Sequence, residues 1–347
     1  MEIDMKKYSV VVIGCGYIGR QHLEDIYFRD NIRVAGVVDV NEAIAKETAI
    51  LYKAESYDTD YINYLKRDDI DIVIIATYTK THLAILRDCV KYGKHVLCEK
   101  PLASTVEEVN EFERLATESN VKVTIGLILR HNKSYHAIYE MIKNDMIGHP
   151  IVFRLAQNQH ALNWNRFLQL LNDTPPLVDC GIHYFDLMEW FTGSEVVAIN
   201  GMKGQADYLP EGQHNYNIAT AKLADGSVGY YEVIWSKSAT VDTLKEFVGP
   251  KGHIKLVYKE HRFTHHEMGD LIEYYNCETK EYKEINIEAK YKPMYEQLEH
   301  LINAIENDTS TDDEVKHACH INRMLIEACN AHPDYIYYRS PNLNEDK

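Results

Sequence analysis

The hydrophobic positions in the first part of the chain form short, unbroken runs. Residues 8–13 and 70–77 are apolar and rich in β-branched side chains without alternation, which is typical of strands buried on both faces of a parallel sheet. Similar runs, and the helical stretches between them, complete the pattern: strands at 32–38, 94–98 and 121–126, and helices at 17–29, 41–53, 61–66, 80–92 and 104–119. This alternation predicts an α/β unit with a doubly wound parallel sheet.

The pattern changes near residue 150, where strands begin to dominate. The predicted strands are 151–159, 196–204, 215–223, 227–236, 241–248, 253–258 and 282–287, and the predicted helices are 181–192, 292–307 and 313–331. Residues 224–227 have the sequence of a hairpin turn. We therefore expect an α+β domain with a large, mainly antiparallel, open-faced sheet. The predicted domains are 1–127 and 128–335, followed by a tail at 336–347.

An open sheet face needs a cover, so we expect a homo-oligomer, a dimer or larger, formed by stacking of this sheet. The alternative is a face that is simply polar. The net charge of −16 makes nucleic acid and membrane surfaces poor partners. Seven cysteines without a C-x-x-C pair, no apolar run of membrane-spanning length and no signal-peptide pattern predict a cytoplasmic protein with reduced thiols.

The segment Gly14-Cys15-Gly16-Tyr17-Ile18-Gly19 follows the first predicted strand and opens a helix. Glycines in this context permit a tight turn, close approach of a pyrophosphate and packing of helix on strand. Asp39 ends the second strand, where a carboxylate accepts hydrogen bonds from ribose hydroxyls and repels a 2′-phosphate. The fingerprint therefore predicts NAD as the cofactor and disfavours NADP.

Polar residues follow two further strands of the predicted parallel sheet. Thr77, Tyr78 and His82 come after the strand at 70–77, and Glu99 and Lys100 come after the strand at 94–98. Ligands bind at the carboxyl ends of such strands. We therefore predict that Lys100 acts on a substrate held beside the cofactor. For His82, a contact at the start of a helix is an equal alternative.

Asp179 and His183 lie four residues apart at the start of a predicted helix, so they share one face. A carboxylate beside an imidazole makes a general base with a group that orients it. The alternative is a helix cap at Asp179 and a core histidine at His183. A metal site is disfavoured because no second histidine is nearby.

Together these segments resemble the Gfo/Idh/MocA family, named for glucose–fructose oxidoreductase, inositol dehydrogenase and a rhizopine-catabolism protein. The resemblance covers nearly the whole chain. Glu99-Lys100-Pro101 is similar to the family's E-K-P motif, Asp179-x-Gly181-x-His183 to its D-x-G-x-H motif, and Thr77–His82 to its T-P-x-x-x-H segment, with Tyr78 replacing proline. Thr174-Pro175-Pro176 replaces the usual glycines before D-x-G-x-H. These prolines predict a stiff loop.

The resemblance implies a Rossmann domain followed by an open-faced sheet domain, with the active site between them. It implies NAD(P)-linked chemistry on secondary alcohols of sugars, cyclitols or glycosides, and a Lys100–Pro101 bond that is often cis. The implied catalytic set is Lys100, Asp179 and His183. The predicted cofactor contacts are Gly14, Cys15, Gly16, Tyr17, Ile18, Gly19, Asp39, Thr77, Tyr78, His82, Glu99 and Lys100.

We assign His183 as general base, Asp179 as its orienter or a sugar ligand, and Lys100 as the group that stabilises the reacting oxygen. Burial is expected to lower the pKa of Lys100, so that it could share the proton with His183. Further substrate contacts are expected from Arg130, Asn158, His160, Trp164 and Arg166. For Trp164, packing at the domain interface is an equal alternative.

Two other functions use the same scaffold. One is oxidation of the sugar ring of a C- or O-glycoside, which prepares it for loss of the aglycone. The other is a non-catalytic, NAD-sensing regulator, for which an intact set of Lys100, Asp179 and His183 would be unnecessary.

Overall fold

A computed structural model of the protein describes residues 6–259 and 269–330. The predicted tail at 336–347, and the end of the predicted second domain, lie outside these residues. Two β-sheets form the framework, and helices from the C-terminal part of the chain lie between them and around them.

The first sheet has six strands and is parallel throughout, as predicted. Its strands are β1 (Tyr8–Ile13), β2 (Ile32–Val38), β3 (Tyr57–Asp58), β4 (Ile72–Ile75), β5 (His95–Cys98) and β6 (Val123–Ile125). Its helices are α1 (Tyr17–Ile26), α2 (Glu42–Leu51), α3 (Ile62–Leu65), α4 (Thr79–Lys91) and α5 (Val106–Thr117). The order β3-β2-β1-β4-β5-β6 reverses direction between β1 and β4, which places a ligand crevice at their carboxyl ends.

The second sheet has eight strands in the order β14-β13-β12-β11-β7-β10-β9-β8. They are β7 (Val152–His160), β8 (Val196–Gly204), β9 (Tyr216–Leu223), β10 (Val228–Ser236), β11 (Lys245–Gly249), β12 (Gly252–Val257), β13 (Asp270–Asn276) and β14 (Tyr282–Ile287). Only the central pair of β7 and β10 is parallel among these described strands. The mainly antiparallel sheet is therefore confirmed.

The remaining helices connect and cover the sheets. They are a 3₁₀-helix (Ile128–His131), α6 (Lys133–Lys143), α7 (Trp164–Leu171), α8 (Pro176–Thr192), α9 (Met294–Glu306) and α10 (Asp312–Asn330). Leu298, Leu301 and Ile302 of α9 join the apolar core of β1 and β2, and α10 packs against both α5 and α8. The sequence assigns the C-terminal helices to the second domain, but these helices also pack against the first domain and so help to stabilise it.

Several elements differ from the sequence-based expectation. The helices α6 and α7 and the strands β3 and β13 were not predicted. The expected stiff loop at Pro175 and Pro176 is wrong, because α8 begins at Pro176 rather than at residue 181. Proline suits the first turn of a helix, where its missing N–H has no partner to lose.

One face of the second sheet is left open by the described helices. A shallow groove crosses it, and its lining mixes apolar and polar residues from β7 to β10: Val152, Ala198, Asn200, Thr220, Ala221, Lys222, Val228, Gly229 and Tyr230. None of the seven cysteines forms a disulfide, and all except Cys277 are buried. No helix among the described residues has the length and hydrophobicity needed to span a bilayer.

Candidate active site and cofactor cleft

The glycine turn after β1 has the geometry that a bound dinucleotide requires. Gly14 has a φ of +98°, and a Cβ atom there would overlap the carbonyl of Ala76. A Cβ at Gly19 would overlap the carbonyl of Gly14, so that helix and strand pack closely only with glycine. A Cβ at Gly16 would meet nothing within 4 Å, which leaves open space on the side where a pyrophosphate approaches.

Asp39 is held at the end of β2 beside this turn. Its Oδ2 accepts a hydrogen bond from the Cys15 amide (3.0 Å) and its Oδ1 accepts one from the Asn41 amide (2.9 Å). No side chain caps the N-terminus of α1, so its amides remain available to an anion. These residues fit NAD: Asp39 would hold the adenosine ribose, and the α1 amides would hold the pyrophosphate.

Lys100 lies at the carboxyl end of β5 and reaches across to α8. The Lys100–Pro101 bond is cis. The Lys100 Nζ donates to the Asp179 carbonyl (3.0 Å) and to Asp179 Oδ1 (3.2 Å). Burial alone would lower the pKa of Lys100, but the charge of Asp179, assisted by Cys180 and Glu99, raises it. The expected lowering is therefore wrong, because the ion pair outweighs burial and keeps Lys100 protonated.

His183 follows Asp179 by one turn of α8. Burial and the charge of Lys100 lower the pKa of His183 to about 4, so the imidazole is neutral near pH 7. Its Nδ1 is buried and has no hydrogen-bond partner in the described protein. The structure shows no hydrogen bond between Asp179 and His183. Asp179 serves Lys100 instead, which corrects its expected role as the orienter of His183.

Glu99 makes a second polar contact beneath the cleft. This contact was not predicted from the sequence. Its Oε1 lies 2.8 Å from Nε2 of His22, a fully buried residue of α1. Burial alone would raise the pKa of Glu99, but His22, together with the charges of Lys100 and His183, lowers it. His22 stands three positions after Gly19, and no sequence signal showed that this position faces β5.

The residues after β4 shape the neighbouring edge of the cleft. The imidazole of His82 is buried between the carbonyls of Pro101 (2.9 Å) and Thr77 (3.1 Å), and burial lowers its pKa. This arrangement ties the end of β4 to the segment after β5. Tyr78 is partly exposed, and its hydroxyl donates to Gln169 of α7 (3.2 Å).

The helix α7 lies along the cofactor edge. Its Arg166 guanidinium is 4.5 Å from the ring centroid of Tyr17, and the Trp164 ring lies under the Lys237 ammonium at 4.9 Å. Asp173, just after α7, accepts from the amides of Thr79 (2.8 Å) and Lys80 (3.3 Å). Asp173 thus caps α4 from outside the first sheet. Sequence analysis missed this contact because it joins distant segments.

Three of the predicted substrate contacts, Arg130, Asn158 and His160, do not lie beside Lys100. The side-chain amide of Asn158 donates a hydrogen bond to Glu232 (3.4 Å). His160 lies two residues further along β7, on the same face of the strand as Asn158. Side chains alternate along a strand, so both belong to the face directed away from α8. Gln157 is the residue that faces α8, where its Oε1 accepts from Tyr231 (3.3 Å). Arg130 is committed to Asp186 of α8, with N–O distances of 2.8–3.1 Å.

Comparison with known proteins now decides the family. Residues 8–127 match the oxidoreductase family with an NAD-binding Rossmann fold, and residues 135–255 match the GFO/IDH/MocA C-terminal domain. The chain belongs to the Gfo/Idh/MocA family. It is therefore an oxidoreductase with NAD as cofactor, and the resemblance seen in its motifs is confirmed.

Relatives and solved structures support this placement. The chain is 26% identical over 263 residues to the inositol 2-dehydrogenase of Rubrobacter xylanophilus, which covers 74% of this chain and 73% of that one. It is 27% identical over 246 residues to the myo-inositol 2-dehydrogenase of Thermotoga maritima (70% and 73%). The scyllo-inositol dehydrogenase of Lactobacillus casei, solved with NAD(H) and scyllo-inositol, shares the fold, with a TM-score of 0.73, 18% identity and 94% and 96% coverage.

Proposed function

We propose that the protein is an NAD-dependent dehydrogenase that oxidises a secondary hydroxyl of a cyclitol or sugar, or reduces the corresponding ketone. One observation carries the proposal: at the carboxyl end of β5 the ammonium of Lys100 is held by Asp179 of α8, and its charge acts on the neutral His183 one turn further along that helix. Its relatives named inositol 2-dehydrogenase favour a cyclitol.

Lys100 would bind the reacting oxygen. An ammonium has three N–H donors, and the Nζ of Lys100 uses two of its contacts on Asp179. The third is available to the substrate oxygen, on which negative charge develops as the carbinol hydrogen leaves. A fixed ammonium in a partly buried site stabilises that charge without reorganisation.

His183 would take the hydroxyl proton, and Asp179 would keep Lys100 charged and in place. A neutral imidazole can accept a proton, and the unpaired Nδ1 of His183 leaves the ring without a fixed donor or acceptor role. When NAD is bound it supplies the hydride acceptor. In the reverse direction, His183 returns the proton to the oxygen held by Lys100.

A substrate panel tests this function. Purified protein is incubated with NAD or NADP and with myo-inositol, scyllo-inositol, aldoses and phenolic C- or O-glycosides, and NADH formation is followed. We expect turnover of a cyclitol or free sugar with NAD. Turnover of glycosides alone would favour the glycoside-oxidising alternative. NAD binding without turnover of any alcohol would contradict the proposal and favour a sensor.

We also propose a homo-oligomer formed through the open face of the second sheet. Exposed apolar side chains on this face support it, since Val152 and Val228 keep 42% and 41% of their surface accessible. Light scattering should give a mass that is a multiple of 40.2 kDa. A monomer at micromolar concentration would contradict it.

A further inference from the structure

The thiol of Cys180 contacts the carboxylate that holds Lys100. Its Sγ donates a hydrogen bond to Asp179 Oδ2 (3.3 Å), while Asp179 Oδ1 accepts from the Lys100 Nζ (3.2 Å). Each oxygen of the carboxylate therefore has a donor of its own. Cys180 stands between Asp179 and Gly181, at the open position of the D-x-G-x-H motif, so the motif itself gives no reason for a thiol there.

Burial keeps this thiol protonated. Cys180 has only 6% of its surface exposed, and burial, together with the negative charge of Asp179, raises the pKa of its thiol well above the ordinary value. The rings of Tyr231 and Trp235, two buried residues of β10, also interact with the sulfur. The thiol is therefore a hydrogen-bond donor near neutral pH, and the acceptor that it uses is a charged carboxylate.

The orientation of the Asp179 carboxylate matters for Lys100. The Lys100 Nζ makes its two contacts with Asp179, one with the main-chain carbonyl (3.0 Å) and one with Oδ1. The carbonyl is fixed in α8, but the carboxylate can rotate about its Cβ–Cγ bond, because that torsion has broad minima. A hydrogen bond at Oδ2 restricts this rotation. The third N–H of Lys100 then keeps one direction, and this is the N–H that the proposed mechanism offers to the reacting oxygen.

We propose that Cys180 is a positioning residue for the dehydrogenase reaction: its thiol fixes the Asp179 carboxylate, and through it the ammonium of Lys100, in the orientation that hydride transfer requires. In this role Cys180 acts through Asp179 and does not contact the reacting atoms. The inference rests on the proposed function, because the orientation of Lys100 affects catalysis only if Lys100 binds the reacting oxygen. The alternative is that Cys180 is a small apolar residue that fills space, for which a methyl group would serve as well.

Kinetics with the best substrate of the panel separate these two roles. Cys180→Ala removes the donor, and we expect single-turnover NADH formation to slow roughly five- to tenfold, with KM and NAD affinity within about twofold of the wild type. Cys180→Ser keeps a donor at the same position and should restore the rate to within about threefold of the wild type. Cys329→Ala is the matched control, since Cys329 of α10 is a free thiol with the same 6% exposure, and its loss should not change the rate.

Infrared spectroscopy tests the hydrogen bond without any turnover. The S–H stretch falls in a spectral window that is free of other protein bands, and donation to a carboxylate lowers its frequency. The difference spectrum between the wild type and Cys180→Ala should show an S–H band at lower frequency than that of Cys329, which donates to no carboxylate among the described residues. Asp179→Asn should shift the Cys180 band upward, because an amide oxygen is a weaker acceptor than a carboxylate.

Three results would overturn the inference while the proposed function stands. They are a wild-type rate in Cys180→Ala, a rate in Cys180→Ser as low as that in Cys180→Ala, and a Cys180 band that Asp179→Asn leaves in place. A wild type that turns over no alcohol has a different meaning, since it would overturn the proposed function and this inference together.

Discussion

The charge state of Lys100 is set by Asp179 against burial, and that of His183 is set by burial and by the charge of Lys100. Asp179 keeps Lys100 protonated, and the resulting charge is one of the causes that lower the pKa of His183. The pair therefore starts with one proton donor and one proton acceptor. In the proposed mechanism, an alcohol bound at Lys100 would meet the polarity that its oxidation requires.

This coupling gives a prediction for His183. Lys100→Met removes the nearby positive charge, so the pKa of His183 should rise from about 4 toward its ordinary value while remaining below it, because burial persists. Histidine NMR titration measures the shift. An unchanged His183 pKa in this variant would show that the two groups are not in electrostatic contact.

The sequence predicted Lys100, Asp179 and His183 as a group, because their motifs stand at recognisable positions after strands and at a helix start. It missed which of them pair. Asp179 and His183 share a face of α8, but the residue that contacts Asp179 is Lys100, whose long side chain extends from the end of β5 in the first sheet. The error at Asn158 has a different cause: one step along a strand reverses the face, and the sequence of β7 did not reveal which parity faces α8.

At the level of elements, the longer strands and the helices of the first sheet were predictable, since their hydrophobic runs are continuous and two of the helices, α2 and α5, begin with side-chain caps. Thr105, for example, caps α5 by accepting from the Glu108 amide (3.2 Å). The helix α7 was not predictable. Tertiary contacts support it, among them Phe167 packed edge-on against Trp235 and Arg166 against Tyr17.

Asp173 couples α7 to α4, so its removal should loosen both. Asp173→Ala deletes the carboxylate that caps α4, where the helix has no side-chain cap of its own. Loss of a cap costs about 1 kcal/mol of stability. We expect faster amide exchange in the first turn of α4 and in α7, measured by hydrogen–deuterium exchange.

The control for this variant is Asp68→Ala, which removes an exposed carboxylate of the first domain. It should leave exchange in α4 and α7 unchanged. If Asp173→Ala exchanged no faster than Asp68→Ala, the contact between Asp173 and α4 would not be a stabilising one.

At the scale of the whole molecule, one buried charge opposes folding. Lys245 of β11 is fully buried, and its Nζ donates to the Ala156 carbonyl (3.0 Å) between the rings of Tyr184 and Tyr258. Burial lowers its pKa from 10.5 to about 7, against the smaller opposing effect of Asp242. From about pH 7 to pH 10.5 the unfolded chain holds a proton that the folded chain releases, so this group's contribution to stability rises with pH across that window.

Lys245→Met should therefore stabilise the protein, and most strongly at low pH. Below about pH 7 the folded protein bears the full cost of burying the ammonium, and the variant should gain roughly 2 kcal/mol. The gain should shrink toward about pH 10. Chemical denaturation at several pH values measures it. Lys255→Met, at a half-buried position of β12 where the lysine keeps its charge beside Glu273 (3.7 Å), is the control. An equal gain in both variants at all pH values would contradict this explanation.

In the proposed mechanism, Lys100 stabilises the reacting oxygen of an alcohol that is oxidised beside NAD. The most direct test is single-turnover NADH formation with saturating NAD and the best substrate of the panel, for the wild type and for Lys100→Met. We predict a rate at least roughly a hundredfold lower in the variant, with NAD affinity within a few-fold of the wild type. A near-normal rate of NADH formation in Lys100→Met would contradict the claim.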